Sequence, residues 1–157
     1  MPSIKKFWCA VAAVAVSALV TACETPPKPT QAAYNITATA DLNPDADGRA
    51  SPVVFRIYEL KSSGIFESAD FFALYDNEAA TLGQELVGRK EYQIQPSESR
   101  SMTEKLQPAT RMIGVIAAYR ELDMAKWRAV VPIQENATTP IDITLGKLTV
   151  DMKVAEQ

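Results

Sequence analysis

Residues 34–42 (YNITATADL) place Tyr34, Ile36, Ala38, Ala40 and Leu42 at alternate positions among polar or small neighbours. A period of two predicts a half-buried strand. Residues 43–51 (NPDADGRAS) then carry no aromatic or branched aliphatic side chain, and their Asn-Pro and Asp-Gly pairs predict an exposed loop. Residues 52–60 (PVVFRIYEL) set Val53, Phe55 and Ile57 on one face and Val54, Arg56, Tyr58 and Leu60 on the other. Large side chains on both faces predict an interior strand whose outer face is partly covered. Arg56 within it is expected to snorkel or pair structurally.

After Gly64 the pattern changes. Residues 68–75 (SADFFALY) predict a short helix with Ser68 as N-cap and Asp70 in the first turn. Phe71, Phe72 and Tyr75 are expected to pack it onto a sheet. Residues 77–83 add a helical turn ended by Gly83. Strand spacing returns over 85–94, over the polar stretch 99–106 that suits an edge, and over 110–120, which is apolar on both faces. Residues 125–133 align Trp127, Ala129, Val131 and Ile133, with Pro132 marking an edge. Ile141, Ile143 and Leu145, then Leu148, Val150, Met152 and Val154, alternate around a break at Gly146-Lys147. About eight short strands predict a mainly β fold, a two-sheet antiparallel β-sandwich with one helical insertion between strands two and three.

The beginning of the chain follows another logic. Lys5 and Lys6 precede an uncharged, mostly apolar run over residues 7–20, and Val20-Thr21-Ala22-Cys23 closes it. This is the form of a bacterial lipoprotein signal, with Val20 where leucine is usual. The run is shorter than the ~20 residues that span a bilayer. Residues 1–22 are therefore expected to be removed, and Cys23 to carry a diacylglycerol and an N-acyl chain as the new first residue. Glu24 rather than Asp follows, which favours the outer membrane. Residues 23–33 read as the lipidated cysteine and a proline-rich tether reaching roughly 30 Å; residues 34–157 read as the sandwich domain.

Composition narrows the function. Loss of Lys5 and Lys6 leaves 14 Lys and Arg against 19 Asp and Glu, a formal charge of −5. That balance does not suit nucleic acid. Cys9 leaves with the signal, so the mature chain has no free thiol. No histidine is present anywhere, which removes the usual general base and the commonest transition-metal ligand. Six glycines form no phosphate-cradling loop. Three other readings remain. Asn43, Asp45, Asp47 and Gly48 resemble the first half of a calcium loop, but the place of its bidentate Glu is Val54. Paired carboxylates of a glycosidase need a cleft, whereas Asp70, Glu91 and Asp123 fall on separate elements. A small-ligand carrier has only a fold in its favour. No catalytic residue, metal site or cofactor is expected.

Four stretches carry a family resemblance: residues 51–61 (SPVVFRIYELK), 66–75 (FESADFFALY), 108–120 (PATRMIGVIAAYR) and Trp127-Arg128. Behind the lipoprotein signal, these resemble the TssJ outer-membrane lipoproteins of bacterial type VI secretion. The resemblance implies a transthyretin-like sandwich with an added helical piece. It implies an adaptor held in the outer membrane, facing the periplasm, and binding the periplasmic C-terminal domain of TssM, with TssL completing the complex. In that family the loop between the first two strands touches TssM. Here that loop offers Asp41, Leu42, Asn43, Pro44, Asp45, Asp47 and Arg49: an acidic tip with one cation, and Leu42 as an apolar anchor.

Overall fold

The computed structural model describes residues 27–155, with the signal and Cys23 outside the described residues. Eight strands form two four-stranded sheets. They are β1 (Gln31–Ala38), β2 (Val53–Leu60), β3 (Leu86–Ile94), β4 (Ser99–Lys105), β5 (Met112–Ala117), β6 (Arg128–Pro132), β7 (Thr138–Leu145) and β8 (Val150–Val154). One sheet has the order β4-β1-β7-β8 and the other β3-β2-β5-β6. The pairs are antiparallel except β1–β7, which is parallel. β6 ends at the same end of the sandwich where β1 begins, so β7 leaves that end in the direction of β1.

β1 corrects the first boundary. It starts at Gln31, inside the expected tether, and stops at Ala38, so Thr39 to Leu42 belong to the loop. Thr30 is also fixed: its carbonyl accepts from Leu106 N–H at 2.9 Å and its hydroxyl from Asn136 N–H at 2.9 Å. Residues 30–33 of the expected tether therefore belong to the folded domain.

The two faces of β2 organise the core. Val53, Phe55 and Ile57 point between the sheets and meet Tyr34, Ile36, Val115, Ile141 and Ile143. Tyr58 and Leu60 point outward and are covered completely, because α1 (Gly64–Ser68), α2 (Phe71–Asp76) and α3 (Glu78–Leu82) lie over that face. The helices bring Phe66, Phe71, Leu74 and Leu82 into this second core. Asp70, not Ser68, caps α2, its carboxylate accepting from Ala73 N–H at 2.9 Å. Ser68 instead closes α1, donating to the carbonyl of Gly64. Gly83, at φ +51°, ends α3.

Arg56 ties the helices to the sheet. Its guanidinium donates to Glu91 at 2.6 Å, to Glu78 at 3.1 Å and to the Tyr75 carbonyl at 2.6 Å, and lies 3.9 Å over the Tyr75 ring. Arg89 completes the cluster by binding Glu78. Tyr58 donates to the Leu74 carbonyl at 3.0 Å, and burial pushes its hydroxyl pKa up to about 12. From Arg56 an aromatic row runs through Tyr75, Phe71 and Trp127 to Arg128, with ring centroids 5.2 and 5.3 Å apart. Arg128 ends it by donating to the carbonyls of Phe66 and Ala69.

Gly114 lets α1 approach this closely. A Cβ there would lie 2.7 Å from the Phe66 ring. Gly114→Ala is expected to cost about 1–3 kcal/mol through overpacking, read as a lower urea midpoint with the slope unchanged.

Candidate partner interface

The loop over residues 39–52 stands at the end of the sandwich opposite Thr30, because β1 runs from one end to the other. It is built from inside. Thr39 donates its hydroxyl to Asp41 at 2.6 Å, and Leu42 N–H returns to the Thr39 carbonyl. Leu42 is 0% exposed and belongs to the inter-sheet core. This corrects its expected role: the last apolar position of the alternation is consumed by the fold and offers nothing to a partner.

Asn43 is corrected in the same way. It is 3% exposed and sits at φ +44°, a left-handed conformation that Asn tolerates better than most residues. Its amide donates to the Pro52 carbonyl at 2.8 Å and accepts from Arg120 N–H at 2.9 Å, while its own N–H donates to the Lys147 carbonyl at 3.0 Å. One residue thus joins the two ends of the loop to the β5–β6 and β7–β8 connections. Asn43→Ala is expected to lower stability by about 2–4 kcal/mol, since two buried partners lose their bonds and the left-handed backbone loses its preferred residue. Chemical denaturation measures it.

Beyond Asn43 the tip emerges into solvent, with Pro44 and Asp45 half-buried and Ala46 to Ala50 exposed. Asp45 is its hub. One carboxylate oxygen accepts from the N–H groups of Asp47 at 3.0 Å and Arg49 at 2.9 Å, and the other accepts from the Arg49 guanidinium at 3.0 Å. Arg49 reaches Asp47 as well, at 3.2 Å. The Arg49 N–H bond, followed by the other bonds and the charge of Arg120, holds the Asp45 carboxyl below its usual pKa. Because the folded value is the lower one, this ordering is complete above the ordinary carboxylate range near pH 4. It is lost as pH falls through the depressed folded value.

Asp45, Asp47 and Arg49 therefore form a closed ion cluster, in which Arg49 offsets one of the tip's three negative charges. The oxygens of Asp45 are aimed at Arg49 and two backbone N–H groups rather than at a common centre, which disfavours the calcium reading. Asp41 and Asp47 remain exposed. The carboxylates weighed for catalysis stay apart: Asp70 caps α2, Glu91 pairs with Arg56, and Asp123 lies in the 3-10 turn Leu122–Met124.

Two surface residues escaped the sequence reading. Phe72, expected to pack inward, is 62% exposed, because Phe71 and Leu74 already occupy the buried face of α2. Met124 is 77% exposed. No periodic signal marks an isolated methionine in a loop, although two aromatic residues in succession on a short helix cannot both face the core.

No curated protein sequence matches the chain. A crystal structure of the T6SS lipoprotein TssJ1 from Pseudomonas aeruginosa is similar at 40% identity, covering 82% of this chain and 98% of that one with a TM-score of 0.79. A chain of a type VI membrane complex is 27% identical, over 80% of this chain and 99% of that one, at TM-score 0.70. A chain of the structure described as the T6SS protein TssM C-terminal domain from EAEC is 26% identical, over 80% and 99%, at TM-score 0.65. The family described as type VI secretion lipoprotein, VasD, EvfM, TssJ matches residues 30–148. That span contains seven of the eight strands, all but β8, together with the helical insertion and the whole loop, and the chain belongs to the type VI secretion lipoprotein family.

Proposed function

We propose that this protein is the outer-membrane lipoprotein of a type VI secretion membrane complex, anchored through acylated Cys23 and binding the periplasmic C-terminal domain of TssM. One observation carries the reading: the pinned Thr30 and the residue 39–52 loop occupy opposite ends of β1. Eight residues of strand separate them by about 26 Å. A lipid on Cys23 then holds the Thr30 end near the membrane, and the loop is presented away from it, into the periplasm. Likeness to chains of a type VI membrane complex and of a structure described as TssM supports the choice of partner. TssL enters through TssM.

The role is that of a tether. It requires a rigid domain, a short leash and a preorganised end. A fixed Thr30 keeps the leash short and proline stiffens it, while the Asp45–Arg49 cluster limits the entropy the tip loses on docking. Density-gradient separation of envelopes tests location, and co-isolation after detergent extraction tests the partner. The chain should band with the outer membrane and bring TssM with it. Banding with the inner membrane, or recovery without TssM, contradicts the proposal.

A further inference from the structure

We infer that the partner footprint extends from the loop onto an apolar shoulder formed by Met124 and Phe72, which supply the anchors the loop lacks. The inference rests on the proposed function, whose partner it shares. With Leu42 buried, the tip over residues 44–50 has no large apolar side chain, and Arg49 is engaged by Asp45 and Asp47. Stable interfaces concentrate their binding energy in a few large apolar, aromatic or arginine side chains, so a charged tip alone is a poor anchor.

Four large apolar residues are exposed among the described ones: Ile65 at 40%, Phe72 at 62%, Met124 at 77% and Val154 at 39%. Ile65 and Val154 lie toward the Thr30 end, beside Glu85 and opposite Ile141. The two most exposed lie toward the loop. Arg120, bound to the Asn43 side chain, leads directly into the turn that carries Met124. Met124 is therefore within about 14 Å of the loop base along the chain. Phe72 stands edge-on to Phe71 at 5.4 Å, and Phe71 stands edge-on to Trp127 at 5.3 Å. The aromatic row below fixes Phe72 in place, so little mobility is lost when it is covered.

Charge names the chemistry of the partner face. Glu121 and Asp123 flank Met124, are exposed, and make no ion pair with another described residue. The matching surface is an apolar socket bordered by lysine or arginine, and its distance from the loop contact is set by the Arg120–Asn43 bond.

Titration of the lipidated full chain in nanodiscs with the periplasmic C-terminal domain of TssM tests this. Met124→Ala and Phe72→Ala should each weaken binding about fivefold or more, and Ile65→Ala should not change it. At such exposure Met124→Ala leaves the fold intact, which an unchanged melting temperature verifies. Binding within twofold of the unaltered chain for both variants overturns the inference. In that case, loss of binding on replacing residues 44–50 leaves the loop reading standing. Absence of binding by the unaltered chain overturns both. Self-association removed by Met124→Ala assigns the shoulder to a second copy instead, and likewise overturns it.

Discussion

Cys23→Ala is expected to abolish type VI secretion while leaving the domain as stable as the unaltered protein. Among the described residues near the start of the domain, Thr30 is held by Leu106 N–H and Asn136 N–H. Neither bond involves Cys23, so the fold has no reason to notice its replacement. The membrane does. Each buried methylene of an acyl chain contributes about 0.8 kcal/mol, and several chains together make attachment effectively permanent. On the proposed function, a domain without them diffuses through the periplasm and still occupies its partner but transmits no force to the outer membrane. Secretion assayed alongside the melting temperature of the purified variant checks this. Normal secretion by an unlipidated, correctly exported domain would remove the tether from the account.

Arg56→Ala is expected to lower stability by about 2–4 kcal/mol. The guanidinium is nearly buried and serves Glu91, Glu78, the Tyr75 carbonyl and the Tyr75 ring at once. Removing one partner of a buried pair costs about 3–5 kcal/mol because the other charge is stranded. Partial exposure of Glu91 and the continued presence of Arg89 on Glu78 reduce that figure here. The loss should be local first. Hydrogen exchange at α2 and α3 is expected to speed up more than exchange at β1 or β7, because those helices reach the sheet through this cluster. Uniform acceleration across both sheets would show that the helices and the sandwich unfold as one unit.

Most of the fold was legible because alternation is a strong signal when both faces of a strand are committed. β2 showed it best: one set of its side chains fills the inter-sheet core and the other lies under the helices. The parallel β1–β7 pair was not legible, since alternation reports which face a residue takes and not which strand lies beside it. Helix caps were misread by two residues, because Ser68 and Asp70 both suit an N-cap and only tertiary packing of Phe71 decides between them. The loop was found but half understood. Leu42 and Asn43 look like surface residues when read with the polar stretch that follows. Their burial comes from contacts with Arg120, Lys147 and the inter-sheet core, more than seventy residues away in the case of Arg120. A short-range pattern carries no trace of such contacts.

Binding between the loop-bearing end and TssM is the central claim, and calorimetry tests it most directly. The lipidated chain in nanodiscs would be titrated with the periplasmic C-terminal domain of TssM, then again with residues 44–50 replaced by Gly-Ser. Asn43 must be kept, because its bonds to Pro52 and Arg120 belong to the fold. The account predicts saturable binding by the unaltered chain, weakened about tenfold by the replacement with the melting temperature unchanged. Full-strength binding by a stable chain without its loop tip would contradict it.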